Sequence, residues 1–154
     1  MDNMLNEFGK FYFAIARIYT CWHRISSEVM EGYGLKGSSA VYFAALYHCK
    51  DGITVSKLGQ VCSRNKSDVS RIISQLEDLG YVRRECCGDN FYRAKLFLTD
   101  SGVKIAEQVD ATSRKVADIA SKGLNAEESA AFYKTLAMVA SNICDAVNDG
   151  SSVM

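Results

Sequence analysis

A short run of charged and hydroxyl side chains has the composition of an anion-binding surface. It carries Lys66, Ser67, Asp68, Ser70 and Arg71, directly before a pair of isoleucines. If the run opens a helix, its amides and short hydroxyls can bind phosphates or base edges, and an arginine can bind a guanine edge through two hydrogen bonds. The alternative is an ordinary solvated helix face, because such patterns also occur without a ligand.

A second basic cluster lies further along the chain. Arg93 and Lys95 fall on the same face of an alternating pattern, and Arg83 and Arg84 lie on the preceding predicted strand. Beside a basic helix, such side chains favour phosphate and minor-groove contacts. The alternative is a solubilising strand edge, since lysine and arginine also protect exposed edges from pairing.

The six cysteines and two histidines do not form a standard metal site. There is no Cys-x-x-Cys pair, and no carboxylate spacing completes a set around His23, His48 and Cys49. Cys86 and Cys87 follow two arginines in a predicted turn, and cations beside an exposed thiol make it more reactive. One hypothesis is therefore that this pair senses oxidation. The other is that the two thiols lie on a loop and have no function.

Composition and charge narrow the class of protein. The 154 residues suit one domain, and the net charge is zero, although residues 54–104 hold nine Lys or Arg against six Asp or Glu. No nucleophile–base pair, phosphate loop or carboxylate dyad is visible, so we expect neither an enzyme nor a cofactor. The longest apolar run, 42–47, is far below the ~18 residues of a membrane span. The acidic start does not resemble a secretory signal, and we expect a cytoplasmic protein.

Long amphipathic helices are predicted at both ends of the chain. An apolar stripe in steps of three and four predicts one helix over 3–31, ended by Gly32 and Gly34. A second stripe follows Asn125. A helix of over ~40 Å is hard for so small a chain to cover, which favours burial against a second subunit over packing within one. The residues expected in this dimer interface are Phe8, Phe11, Ile15, Phe132, Leu136, Ile143 and Val147.

Three shorter helices are predicted between the long ones. They are expected over 40–49, with Ser38 or Ser39 as its cap, over 55–62 after Thr54, and from the cap Asn65 to the left-handed turn at Gly80. The apolar face of the last one holds Val69, Ile72, Ile73, Leu76 and Leu79.

Beyond Gly80 the pattern alternates, which predicts strands over 81–85 and 92–98 joined by a turn. Thr99 is expected to cap a further helix from Ser101 to about 121. A helix-turn-helix followed by a two-stranded wing is a unit that places one helix in a major groove.

Three stretches of the middle segment resemble one known family. TVSKLG at 54–59 and NKSDVSRIISQLEDLGYVRR at 65–84 are similar to the core of MarR-type regulators. YRAKLFLTDSG at 92–102 is similar to the end of that family's wing and the start of its next helix. The middle third matches closely, whereas the flanking helices match in length and order only.

The resemblance implies a mainly α fold with a small β-hairpin wing. A single domain over 1–154 would hold a winged helix-turn-helix over 38–100, flanked by long dimerisation helices over 1–35 and 101–148. In that family the outer helices interlock and two winged domains read a palindromic operator on double-stranded DNA. Many members also bind a small effector, or sense oxidation, at the junction of the two parts.

The resemblance therefore implies a homodimeric, sequence-specific transcriptional regulator, a repressor modulated by a small ligand or by oxidation. The residues expected to contact DNA are Arg64, Lys66, Ser67, Asp68, Ser70, Arg71, Arg84, Arg93 and Lys95.

The wing departs from the family pattern at one position. Phe91 stands where the family usually has an aspartate, two residues before the wing arginine. Either Asp89 substitutes for it from a slightly different turn, or the wing is looser than in the family. This departure and the zero net charge motivate the alternative of a winged-helix protein-interaction module that no longer binds DNA. Retention of the basic and hydroxyl residues argues against it.

Overall fold

The computed structural model describes residues 7–85 and 94–148, and the side chains of 9–85 and 94–147. Contacts along the chain group it into two compact units, Met1–Ser113 and Arg114–Met154. The predicted organisation as a single domain stays a prediction.

The first unit contains most of the elements. They are α1 (Glu7–Glu31), a 3-10 turn (Gly37–Ser39), α2 (Ala40–His48), β1 (Ile53–Thr54), α3 (Val55–Val61), α4 (Lys66–Asp78), β2 (Val82–Glu85), β3 (Lys95–Leu98) and the start of α5 (Asp100–Ala120). The second unit holds the end of α5 and α6 (Ala126–Asn148). A mainly α architecture with a small sheet is confirmed.

Most predicted helix ends are confirmed by their hydrogen bonds. Thr54 Oγ1 accepts from the amide of Lys57 at 3.3 Å, which caps α3. Gly34 and Gly80 take φ of +68° and +75°, the left-handed conformation that a glycine adopts at little cost. Ser39 is a correction. It is the N-cap of α2, but its side chain makes no capping bond, because the 3-10 turn leads into the helix with Ser39 already at helical angles.

The sheet has one strand more than predicted. Its order is β1-β3-β2, all antiparallel, and Ile53 pairs with Leu96 in the added strand. A strand of two residues is too short to show alternation, so the sequence did not reveal it. Between β2 and β3, Arg83 lies opposite Phe97 and Arg84 opposite Leu96. Because successive strand residues alternate, the two arginines face opposite sides of the sheet.

The core of the first unit joins the helices to the inner face of the sheet. Its fully buried side chains include Met30, Phe43, Leu58, Val69, Ile73, Leu76, Leu96 and Ile105. Leu79 was expected on the apolar face of α4 but is 48% exposed, because it is the C-cap, where the chain leaves the helix.

In the second unit, Asn125 and Glu128 form the start of α6. Asn125 Oδ1 accepts from the Glu128 amide at 2.9 Å, and a Glu128 carboxylate oxygen accepts from the Asn125 amide at 2.8 Å. This reciprocal capping box confirms the predicted start of the last helix. Of the stripe predicted for the interface, Phe132, Ile143 and Val147 are exposed, and Leu136 is half-buried.

The first half of α1 also leaves apolar side chains in solvent. Phe11 and Ile15, both predicted for the interface, are exposed, as are Ile18 and Trp22. The position of the Phe8 side chain lies outside the description. None of the described helices is both long enough and apolar enough to cross a membrane.

Candidate nucleic-acid interface

The turn between α3 and α4 is tight. The Arg64 amide donates to the Gly59 carbonyl at 2.9 Å, and Ser63 lies in the left-handed region with φ +51°. A Cβ added to Gly59 would lie 2.9 Å from the Arg64 carbonyl oxygen, so a larger residue would push the turn away. The short turn fixes the start of α4 relative to α3, as a helix-turn-helix requires.

Asn65 and Asp68 cap α4 together. The side-chain oxygen of Asn65 accepts from the Asp68 amide, and its side-chain nitrogen donates to the Asp68 carboxylate, both at 2.8 Å. The other carboxylate oxygen lies 4.0 Å from the guanidinium of Arg71. Asp68 was predicted as a DNA contact. Its geometry shows a helix-capping role, and its contact with DNA stays a prediction.

The other residues predicted for DNA contact near α4 lie in the turn before it and along its first turns, where they form a largely exposed surface. Arg64, Lys66, Ser67 and Arg71 are exposed, and Ser70 is half-buried. Their exposure contrasts with the buried face of the same helix, which packs on the core. The capped N-terminus adds a partial positive charge to this surface. The surface can therefore bind phosphate oxygens and, through Arg71, a base edge.

The described cations of β2 and β3 are bound within the chain. Arg84 makes two hydrogen bonds to the Glu77 carboxylate, Nε to Oε1 at 3.2 Å and Nη2 to Oε2 at 2.9 Å. Arg83 pairs with Glu85, and its guanidinium lies 4.9 Å from the centre of the Phe97 ring. Lys95 donates to the Asp51 carbonyl at 2.8 Å. Two of these partners could not be predicted from the sequence, because Lys95 and Arg84 meet them only once β3 and β2 pack beside the neighbouring elements.

Several predicted residues lie outside the described part of the chain. They are Arg93, Phe91 and the possible redox pair Cys86 and Cys87. Their roles stay predictions. Among the described residues, no cluster of histidine, cysteine and carboxylate side chains could hold a metal ion.

A cavity of about 210 Å³ lies between α1 and the helix-turn-helix, within the first unit. Tyr19, Trp22 and His23 line one side, and Cys62 and Arg64 line the other. Burial raises the pKa of the Cys62 thiol, and the Arg64 charge only partly opposes the rise. The sequence did not reveal Cys62 as a lining residue, because no motif distinguishes a cysteine that lines a pocket from a core cysteine.

Comparisons with known proteins bear on the fold. A MarR-family transcriptional regulator from Silicibacter pomeroyi is similar to 88% of this chain over 90% of its own length, with 25% identity and a TM-score of 0.75. A putative MarR-family regulator from Listeria monocytogenes, solved with a 26mer DNA, gives 22% identity, coverage of 93% and 97%, and a TM-score of 0.80. MepR of S. aureus, in a DNA-binding conformation, is 19% identical. The match covers 86% of this chain and 98% of MepR, with a TM-score of 0.79.

Comparisons with protein-family models and with curated protein sequences return no match. The structural similarity extends over nearly the whole chain and includes the flanking helices, which the sequence matched in length and order only. The resemblance inferred from the sequence is confirmed at the level of the fold, and the chain has the winged helix-turn-helix fold of MarR-type regulators.

Proposed function

We propose that the chain is a homodimeric, sequence-specific DNA-binding transcriptional regulator that acts in the cytoplasm as a repressor. The observation that carries the proposal is the capped N-terminus of α4, with Arg64, Lys66, Ser67 and Arg71 exposed beside it. It is supported by the shared fold of the Listeria regulator, which is solved with DNA. A regulator is favoured over an enzyme because the similar structures are transcriptional regulators.

In this proposal the contacts divide by position. Arg71 is 75% exposed at its side chain and lies one turn into α4, so it reaches base edges. Arg64, Lys66 and Ser67 surround the helix start and bind phosphates, with Ser70 and Asp68 beside them. Arg93 on the wing enters a minor groove.

The proposed homodimer is supported by the apolar side chains that each unit leaves in solvent. Phe11 and Ile15 on α1, and Phe132 and Ile143 on α6, are each more than a third exposed. Apolar stripes left exposed along long helices in this way are typical of an interface. Two copies of α4 would then read the two halves of a palindrome.

The proposed effector response is supported by the cavity beside the helix-turn-helix. Because Arg64 lines it and also belongs to the α3–α4 turn, a small ligand bound there would contact the turn that fixes α4. Oxidation of Cys86 and Cys87 is the other form of control in the proposal.

The experiment that tests the function is selection of bound duplexes from random DNA, with and without peroxide. We expect enrichment of a palindrome whose half-sites lie one helical turn apart, about 34 Å, or a multiple of it. Arg71→Ala should weaken the enrichment of that sequence markedly. Lys122→Ala, which removes the same charge from the α5–α6 turn, should retain it.

The protein-interaction module remains the second candidate, favoured by the internal pairing of Arg83, Arg84 and Lys95. A folded protein that enriches no sequence in that selection would refute the first candidate and favour the second.

A further inference from the structure

Arg84 and Glu77 join the strand β2 to the helix α4. The carboxylate belongs to the last turn of α4, and the arginine lies in the middle of β2. Two hydrogen bonds of 3.2 and 2.9 Å give the paired geometry in which a guanidinium binds a carboxylate most strongly. The side chains are 30% and 26% exposed, so water screens this pair less than a fully exposed surface pair.

The direction of the Arg84 side chain follows from the register of the sheet. Arg84 lies opposite Leu96, which is fully buried, whereas Arg83 lies opposite Phe97 on the other face. Arg84 therefore extends along the side of the sheet that packs on the helices. The backbone also holds the start of β2 close to the end of α4, because the Tyr81 amide donates to the Leu76 carbonyl at 2.9 Å.

We propose that Arg84 is a positioning residue: through Glu77 it holds the β2–β3 ladder against α4, and it does not act as a phosphate contact. The inference deepens the proposed function. A helix and a wing that bind one duplex together must keep a fixed separation, and a rigid link between them avoids an ordering cost on binding. The Glu77 carboxylate, an unfavourable charge near DNA, is then retained because it anchors the arginine.

The sign of one substitution separates the two roles. Glu77→Gln removes a negative charge, so it would tighten binding if Arg84 contacted a phosphate, because the arginine would be released to the DNA. If Arg84 is a positioning residue, Glu77→Gln loses the paired geometry and weakens binding. We expect a dissociation constant about 5- to 30-fold higher for Glu77→Gln and for Arg84→Ala, on the duplex enriched from the random pool.

The salt dependence of the same titrations gives a second readout. A lost phosphate contact lowers the slope of log K against log salt by about 0.9. We expect Arg84→Ala to keep the wild-type slope although its affinity falls. Arg83→Ala is the matched control, since it removes the same charge from the neighbouring position without touching α4. It should weaken binding less than Arg84→Ala does. The exchanged pair Glu77→Arg with Arg84→Glu should recover most of the lost affinity.

Amide hydrogen exchange on the free protein tests the link without DNA. The amides of β2 and β3 should exchange several-fold faster in Arg84→Ala and Glu77→Gln than in wild type, and the exchanged pair should restore their protection. Tighter binding by Glu77→Gln, or a slope that falls by about 0.9 in Arg84→Ala, would overturn the proposal. If the wild type bound no DNA, the proposed function would fail, and unchanged exchange in both variants would separately refute the positioning role.

Discussion

Ser63 holds a backbone conformation that its own side chain disfavours. Its φ of +51° lies in the left-handed region, which costs a residue with a Cβ roughly 1–2 kcal/mol. This conformation persists because the α3–α4 turn must be short enough for the Arg64 amide to donate a hydrogen bond to the Gly59 carbonyl. The strain therefore lies at the turn that presents the proposed DNA-binding residues, where such strain is often found.

Ser63→Gly should raise the free energy of unfolding. Removing the Cβ relieves the strain, and the greater freedom of glycine in the unfolded chain offsets part of the gain, leaving about 0.5–1 kcal/mol. Urea denaturation measures the difference. Ser63→Ala keeps a Cβ and should show no comparable gain, so equal stability of the two variants would contradict the assignment of strain.

Cys62 should make the protein less stable at alkaline pH. Burial raises the pKa of its thiol above the ordinary 9.0, so above about pH 9 the unfolded chain releases a proton that the folded chain keeps. This contribution to stability is fully present below the thiol pKa of the unfolded chain, and it is lost as the pH rises toward and through the higher thiol pKa of the folded chain. Burial also raises the pKa of Tyr42, with the same sign at higher pH.

The measurement is urea denaturation, with reductant, at about pH 8 and about pH 10, on either side of the ordinary thiol pKa. The free energy of unfolding should fall less between the two pH values in Cys62→Ala than in wild type. The cavity that this substitution leaves lowers stability at both pH values and therefore does not change the comparison. Cys144→Ala, at an exposed position, should behave as wild type. An unchanged fall in Cys62→Ala would show that burial does not shift this thiol.

At the scale of elements, the start of α5 lies against the end of the α4–β2 turn. Thr99 Oγ1 donates to the Gly80 carbonyl at 2.7 Å and accepts from the Gly102 amide at 3.1 Å. The Tyr81 carbonyl lies so close to Gly102 that an added Cβ would overlap its oxygen. The approach of helix to strand therefore requires a residue without a side chain.

Gly102→Ala should be strongly destabilising. The overlap is with backbone, which cannot rotate away, so α5 or β2 must shift, at a cost of about 3 kcal/mol or more. Ser101→Ala, at the exposed neighbouring position, should change the free energy of unfolding by less than about 0.5 kcal/mol. Thermal unfolding of both variants checks this, and a Gly102→Ala midpoint equal to that of Ser101→Ala would refute the close approach.

The elements themselves were largely predictable because their signals are local. The cap at Asn65 and the turn at Gly80 each depend on one residue type at one backbone conformation, and both are confirmed. The features that the sequence did not reveal depend on how separate elements pack. The strand at Ile53 exists only because Leu96 pairs with it, and Arg84 meets Glu77 only because the turn after α4 brings β2 back beside that helix. No local pattern contains these pairings.

At the scale of the whole molecule, the exposed stripes on α1 and α6 lead us to expect an obligate dimer. Its interface should bury more than about 2,000 Å² in total. Sedimentation at low micromolar concentration should give the mass of two chains. Ile143→Glu would place a charge in the interface and shift the mass toward one chain, whereas Lys134→Glu, at a polar position of the same helix, should not. A folded wild-type monomer would contradict this expectation.

The most direct test of the central claim is a titration of wild-type protein against two duplexes of equal length and composition at about 150 mM salt. One carries the enriched palindrome and the other its scrambled sequence. Sequence-specific recognition predicts at least ~10³-fold tighter binding to the palindrome. Arg71→Ala should lower that ratio by the equivalent of roughly 1–3 kcal/mol. A folded dimer that bound both duplexes equally would contradict the account.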